Sequence, residues 1–356
     1  MSINLQEQVS LAEHTTLQLG GKARYFVECK TLDDLRSALE FARSRGLRHH
    51  ILGGGSNTIF HDDGFDGLVI KIAFRGIQFI RLKEDVKMVC AAGEVWDSFV
   101  QRCIEFHLAG VECLSGIPGL VGAAPIQNIG AYGQEVSETI VEVKALNTRT
   151  LAAVHFANSE CKFGYRRSRF NREDQNIFAI TEVAFRLHHL AEPCLRYPEL
   201  QQYVATHVQL DKLGRGRERL QAVRDAVLAL RRKKSMVLDP HDPHAKSVGS
   251  FFKNPVLFPQ QLSALEERCR ALQIAEKIPT FPSGSRIKVP AAWLLEHAGF
   301  HKGYRTGGVG ISENHALALV NYGGSTRELL SLAGEIQARV HERFGVTLER
   351  EPVLVQ

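Results

Sequence analysis

The sequence predicts an α+β protein of three domains, and three observations carry that reading. At 356 residues the chain is long for a single core. Helical and strand periodicities alternate along it, with neither dominating. The pattern falls into three segments, with a Gly-, Pro-, Ala- and Asn-rich run at 114–133 inside the second and a Pro- and Asp-rich connector at 238–247 inside the third. The expected domains are 1–75, 76–215 and 216–356.

The first segment begins its pattern at Thr31, an N-cap type, with apolar residues at 32, 35, 39 and 42 in helical spacing as far as Gly46. A short strand, 50–52, runs into GGGSN, and another follows at 67–72. This is a small α/β unit. In the second segment, 77–82 and 87–94 read as a β-hairpin. The helix 95–107 places Val95, Phe99, Cys103 and Phe106 on one face. Strands follow at 139–146, 151–156 and 177–187. The helix 216–233 carries Leu220, Val223, Val227 and Leu230 in one stripe and leads to the third segment. That segment has helices near 259–273 and 290–298 and a strand near 315–321. Its last helix starts about 326 with a capping box, Ser325 and Glu328. A final strand carries LEREPVLV.

Bulk properties exclude several classes. A hydrophobic fraction of 44% with 23% charged residues is ordinary for a folded globular chain. A net charge of +5 is small for a nucleic-acid binder and suits an anionic small molecule. Seven cysteines, with no CxxC pair, point to reduced thiols and to no metal site. No apolar run approaches the roughly 18 residues of a membrane span, and the start lacks a signal-peptide pattern. A cytoplasmic location without membrane attachment, as a monomer, is the expectation.

Five features carry chemistry. In GGGSN, Gly53, Gly54 and Gly55 let backbone N–H groups approach an anion, and Ser56 and Asn57 add side-chain donors. A tight turn would use the same residues. The 114–133 run is long for a loop without regular structure, and such loops are usually functional. Gly116, Gly119, Gly122, Gly130 and Gly133 leave its backbone uncovered, and Gln127 and Asn128 can hydrogen-bond a planar heterocycle. A structural crossover loop is the alternative. KFGYRRSRF at 162–170 sets Arg166 beside Tyr165, either as a clamp on a carboxylate or phosphate or as a solvated basic turn. GSFFKNP at 249–255 fixes the Ser250 hydroxyl beside two aromatics, either as a proton donor in a dry site or as a helix N-cap. Glu349 and Glu351, two apart on a strand, share a face, either with one of them serving a site or as part of a surface edge strand.

Taken in order, these pieces resemble one family. TTLQLGGKARYF at 15–26, LGGGSN at 52–57, IPGLVGAAPIQNIGAYG at 117–133, FGYRRSRF at 163–170, GSFFKNP at 249–255 and LERE at 348–351 are similar to the UDP-N-acetylenolpyruvoylglucosamine reductase (MurB) family. The resemblance covers about Thr15 to Glu351. It implies a three-domain flavoprotein with an FAD-binding fold of the vanillyl-alcohol-oxidase (PCMH) kind. By resemblance, Gly53, Gly54, Gly55, Ser56, Asn57, Gly119, Gly122, Gln127, Asn128 and Gly130 hold noncovalent FAD, with Arg231 on the flavin side. Arg166, Ser250 and Glu351 fall on catalytic motifs. Tyr165, Lys234 and Asn254 fall on substrate positions. LRYPEL at 195–200 resembles the longer subtype, in which Tyr197 would close over the substrate. Where the family usually has Val after its second glutamate, this chain has Pro352.

The resemblance implies NADPH as hydride donor and UDP-N-acetylglucosamine enolpyruvate as the group reduced, in peptidoglycan precursor synthesis. Ser250 would protonate C2 of the enolpyruvyl group while Arg166 and Glu351 stabilise charge on its carboxylate. Two other classes stay open on the residues alone. A flavin oxidase would share the FAD loops but need dioxygen and a base. A nucleotide-binding module would keep the loops and dispense with Arg166, Ser250 and Glu351.

Overall fold

A computed structural model describes residues 3–355. The chain divides into two compact units, each assembled from separate stretches. Unit 1 comprises 1–9, 23–55 and 65–238, and unit 2 comprises 10–22, 56–64 and 239–356.

Unit 1 holds two sheets over one core. The first has the order Leu5–Ser10, Lys22–Cys29, Phe65–Ile72, Arg48–Leu52, and its last three strands run parallel. Helix α1, Leu32–Ser44, makes the crossover that parallel pairing requires. Its start is a reciprocal cap: Thr31 Oγ1 accepts the Asp34 N–H at 3.1 Å, and the Asp34 carboxylate accepts the Thr31 N–H at 2.9 Å. The second sheet is antiparallel, ordered Ala153–Ala157, Ile140–Asn147, Phe178–His189, Asp85–Ala91, Ile77–Arg81. Val27, Leu68 and Ile70 of the first sheet share one buried cluster with Met88, Cys90, Trp96 and Phe185. The expected boundary at 75 therefore runs through a common core.

Helix α2, Trp96–Glu105, differs from its predicted face. Val95 and Phe106 are 42% and 51% exposed, while Trp96, Phe99, Val100, Cys103 and Ile104 are buried. The reason is placement: Val95 is the extended residue before the first turn, and Phe106 follows the last. The buried stripe turns on Trp96 instead, whose indole N–H donates to the Leu114 carbonyl at 3.0 Å. Helices α3, Pro198–His207, and α4, Arg217–Arg232, complete unit 1. The predicted stripe of α4 is buried, but Val223, Val227 and Leu230 cluster with Cys113, Leu200 and Val204 of this unit, and Leu220 joins its larger core. So α4 belongs to unit 1, where the reading of the sequence opens the third domain with it.

Unit 2 is built on an antiparallel sheet ordered Ser247–Ser250, Ala318–Asn321, Val309–Ile311, Arg305–Thr306. Helices α5, Pro259–Ala271, α6, Ala291–His297, and α7, Thr326–Phe344, surround it. Leu329, Leu332, Ile336 and Val340 of α7 are fully buried, each contributing roughly 1.5–3 kcal/mol of hydrophobic stabilisation. The start of α7 is capped twice. Ser325 and Glu328 form the predicted box, and the Asp62 carboxylate accepts the Thr326 and Arg327 N–H groups at 2.8 and 2.9 Å. Asp62 thus draws the 56–64 stretch into unit 2. The strand Thr58–Phe60 in that stretch pairs in parallel with the C-terminal strand Val353–Val355. Among the described residues no helix is long and apolar enough to cross a membrane, and no group of three or more His, Cys, Asp or Glu is placed to hold a metal ion.

Candidate functional site

The residues expected to act divide between the units. In unit 1 the strand Arg48–Leu52 delivers the chain into Gly53–Gly55. A Cβ on Gly54 would stand 2.9 Å from Gly119 Cα, so the two glycine-rich loops touch backbone to backbone. The loop at 119–122 is tied in turn to the start of α2. Gly119 O accepts the Trp96 N–H at 3.1 Å, the Val121 N–H reaches Glu94 O at 2.9 Å, and the Gly122 N–H reaches Ala92 O at 2.9 Å. At Gly122 the need for glycine is packing, because a Cβ would meet Ala92 Cβ at 2.5 Å. Gly53 differs. The nearest atom to a Cβ there is Ala123 Cβ at 3.8 Å, so nothing in the chain itself forbids a side chain.

Asn128, expected to meet a heterocycle, is fully buried and spends its amide within the protein. Nδ2 donates to Glu135 at 2.8 Å and to Gly164 O at 3.0 Å, and Oδ1 accepts the Ser137 N–H at 3.0 Å. Both donor hydrogens are used. Asn128 therefore fastens the turn that carries Tyr165 and Arg166 to the 117–133 loop. Gln127 is half-buried beside it. Arg166 takes a left-handed backbone, φ 51°, a strained conformation for a non-glycine residue. Its Nη2 donates to Gly130 O at 2.9 Å, and the guanidinium lies 5.6 Å from the centre of the Tyr165 ring.

Arg231, in the last turn of α4, adds a second guanidinium. Nη2 donates to Met236 O at 2.7 Å, while Nε is buried with no hydrogen-bond partner among the described residues. Burial first, and then the nearby Arg166 charge, lower its pKa to about 10, with Tyr132 and Asp97 opposing. Two cations so close, one with a spare buried donor, favour an electron-rich or anionic group. Gly116 lies against this arginine: a Cβ there would be 3.4 Å from Nε. Its N–H donates to Asp97 at 2.6 Å, and Asp97 also takes two bonds, 2.6 and 2.7 Å, from buried Arg224.

Tyr197 and Lys234, predicted separately for substrate, come together around a residue the sequence reading did not select. Tyr132 meets the Tyr197 ring edge-on at 5.6 Å between centres, and Lys234 Nζ lies 5.9 Å from the Tyr132 ring centre. Lys234 also pairs with Glu199 at 2.7 Å. Burial raises the Tyr132 hydroxyl to about 12 and raises Tyr197 as well, so both are neutral donors near pH 7. Tyr197 is 42% exposed at the foot of α3, where Pro198 fixes the first helical position.

In unit 2, Ser250 ends a strand and caps no helix. Phe251 and Phe252 beside it are fully buried, which fixes the backbone that presents the hydroxyl. Ser250 Oγ lies 3.3 Å from His315 Nε2, a partner 65 residues on. The same segment pairs with LERE: the Glu351 N–H reaches Phe251 O at 2.9 Å and the Lys253 N–H reaches Glu349 O at 2.9 Å. Glu349 is taken by Lys253 Nζ at 2.6 Å and is largely exposed, whereas Glu351 is half-buried. After Pro352 the chain changes partner. Val353 donates to Asn57 O at 2.9 Å, and Asn57 Nδ2 donates to Glu351 O at 3.3 Å. The missing proline N–H falls at that changeover. Asn57 thus holds the Glu351 backbone, and Ser56 opens the same stretch of unit 2. Asn254 Oδ1 accepts the Ala291 N–H at 2.9 Å and so caps α6.

Comparison with known proteins decides the family. A UDP-N-acetylenolpyruvoylglucosamine reductase of Thermobifida fusca is 44% identical over 366 aligned positions, covering 100% of this chain and 99% of the relative. The chain belongs to the UDP-N-acetylenolpyruvoylglucosamine reductase family. Reductases of that name from Streptomyces coelicolor and Mycobacterium tuberculosis are 45% and 39% identical, over 97% and 99% of this chain and 88% and 95% of theirs. Residues 240–355 match the C-terminal domain of this reductase family, and residues 23–150 match an FAD binding domain family. The crystal structure of the Thermus caldophilus MurB covers 100% of both chains with a TM-score of 0.65 at 24% identity, which shows a shared fold. The fold is accordingly the mixed helix-and-strand FAD-binding kind.

The residues present fit FAD on their own terms. Gly53 leaves open backbone, the 117–133 loop carries Gly119, Gly122 and Gly130, and buried Arg231 Nε has a hydrogen to donate. His315, Tyr132 and Glu199 are the neighbours that the sequence reading passed over.

Proposed function

We propose that this chain reduces UDP-N-acetylglucosamine enolpyruvate to UDP-N-acetylmuramate with NADPH, through noncovalently held FAD, in peptidoglycan precursor synthesis. One observation carries the reading. Residues 240–355, which contain Ser250, His315 and Glu351, match the reductase's own C-terminal domain. An FAD binding domain alone would suit a flavin oxidase equally well. NADPH supply places the work in the cytoplasm.

FAD, when bound, would supply the hydride chemistry between NADPH and C3 of the enolpyruvyl group. The chain's own residues do the rest. As charge builds on the substrate carboxylate, Arg166 donates to its oxygens, and a protonated Glu351 adds a further hydrogen bond. Arg231 and the open backbone at Gly53 hold the cofactor. Tyr165, Tyr197 and Lys234 orient the nucleotide sugar. Ser250 delivers a proton to C2. With its hydrogen on Nε2, His315 donates to Oγ, which directs the hydroxyl hydrogen away and stabilises the alkoxide left behind. Asn128, Asn57 and Asn254 serve these groups indirectly, by fixing the segments that carry them.

The test is turnover. NADPH oxidation should depend on added UDP-N-acetylglucosamine enolpyruvate, and the product should be heavier by one molecule of dihydrogen. NADPH oxidation that ignores the sugar and follows dioxygen would favour an oxidase.

A further inference from the structure

Two cysteines outside the proposed chemistry meet in unit 1. Cys113 is fully buried in the single turn Glu112–Leu114. Cys194 is half-buried, 81 residues on, in the loop leading to Tyr197. Cys113 Sγ lies 3.1 Å from the Cys194 carbonyl oxygen, so its sulfur sits against the main chain of Cys194.

Their main chains are pinned to one buried pair of side chains. Glu112 Oε1 accepts the Cys194 N–H at 2.7 Å and the Gln134 Nε2 hydrogen at 3.0 Å, and Gln134 Oε1 accepts the Cys113 N–H at 2.9 Å. Arg196 Nε lies 3.1 Å from Cys194 Sγ. Its other end pairs with Glu138.

The seven thiols are not alike. The neighbouring Cys113 side chain, followed by Arg196, holds Cys194 below the ordinary thiol range against a partial burial that opposes it. Cys113 is held up, first by the Cys194 side chain and then by burial. Burial pushes Cys29, Cys90, Cys103, Cys161 and Cys269 up. A half-exposed thiolate next to a cation, with a second thiol behind it, is the arrangement of an attacking and a resolving cysteine.

We propose that Cys113 and Cys194 form a reversible, hydroperoxide-responsive dithiol. The Cys194 thiolate attacks one peroxide oxygen, the O–O bond breaks, and the leaving oxygen takes a proton as water or alcohol. Cys194 is then a sulfenic acid. Cys113 attacks that sulfur, the S–S bond forms, and the sulfenic hydroxyl leaves as water with the Cys113 proton. Two thiols lose two electrons and the peroxide gains them. The disulfide ties the Tyr197 segment to the Glu112–Leu114 turn. That segment already lies against the cofactor loop: a Cβ on Gly133 would stand 3.1 Å from Arg196 Cβ and 3.3 Å from the Tyr197 nitrogen.

The experiment treats the oxidised, flavin-loaded protein with equimolar hydrogen peroxide, alkylates the remaining thiols after denaturation, and maps peptides by mass spectrometry. The expected result is a linked Cys113–Cys194 peptide, the other five of the seven cysteines alkylated, and full reversal by a thiol reductant. Cys113→Ser should leave Cys194 as a sulfenic acid that dimedone traps. Arg196→Gln, which leaves both thiols in place, should slow disulfide formation several-fold. Cys194 recovered in alkylated form after peroxide, like the buried five, would overturn the proposal. So would an unchanged rate in Arg196→Gln, which would remove the proposed activation of Cys194.

Discussion

Ser250 Oγ and His315 Nε2 lie 3.3 Å apart, which couples a residue ending one strand of unit 2 to the entry of its neighbour. If Ser250 is the proton donor to C2, Ser250→Ala separates the two halves of the reaction. NADPH oxidation by the flavin should stay within a few-fold of wild type. Reduction of the UDP-sugar should slow by about 10²–10⁴-fold, the usual worth of a positioned general acid. His315→Ala should affect the same half by about 10–10²-fold, since it misplaces the hydroxyl without removing it. Stopped-flow flavin absorbance reads each half separately, and equal slowing of both halves would mean a disturbed flavin site.

The contact between Gly54 and Gly119 yields a paired test. Gly54→Ala sets a Cβ 2.9 Å from Gly119 Cα, backbone against backbone, so the loops must separate. A cost of about 1–3 kcal/mol in stability is expected, with loss of flavin from the purified protein. Gly53→Ala meets nothing nearer than 3.8 Å and should leave stability unchanged. Flavin lost from Gly53→Ala at wild-type stability would report contact with the cofactor itself. Full retention in both variants would remove GGGSN from the cofactor site.

Asp97, in α2, is bonded to Arg224 of α4 and to Gly116 of the 114–133 loop. Burial alone would raise its pKa, but the bonds from Arg224 and the Gly116 N–H outweigh burial and lower it. A carboxyl depressed on folding stabilises fully above its unfolded value, about 3.9, and that stabilisation is lost as pH falls through the lower folded value. Asp97→Asn should cost about 2 kcal/mol at neutral pH, as expected for losing charge-assisted hydrogen bonds. The gap from wild type should close below about pH 4. Urea unfolding across pH measures it, and a constant gap would contradict the pairing.

Tyr197 stands edge-on to Tyr132, a contact that Phe can keep. Tyr197→Phe should therefore raise KM for the UDP-sugar about tenfold, equivalent to one hydrogen bond of ~1.4 kcal/mol, with little change in stability. An unchanged KM would make Tyr197 structural.

Local signals were legible in the sequence. Thr31 with Asp34 and Ser325 with Glu328 cap their helices as the letters imply, because capping needs only neighbours. The buried face of α2 differs from the one its spacing predicts, since whether Val95 lies inside or just before the first turn changes which stripe is buried. Asn128 and Asn254 look like ligand donors in sequence, but their partners, Gly164 and Ala291, are 36 and 37 residues away. His315 had no local signal, because its meaning lies in strand pairing with Ser247–Ser250. Motifs rather than periodicity single out Arg166, Ser250 and Glu351 as candidates. What periodicity could not show is that 10–22 and 56–64 leave the N-terminal half to fold with the C-terminal one.

The most direct test of the proposed function is anaerobic titration of the purified protein, followed by the flavin absorbance. NADPH should bleach the oxidised-flavin band, and UDP-N-acetylglucosamine enolpyruvate, added without dioxygen, should restore it within a turnover and yield UDP-N-acetylmuramate. A band that stays bleached with the sugar and returns only when air is admitted would contradict the assignment.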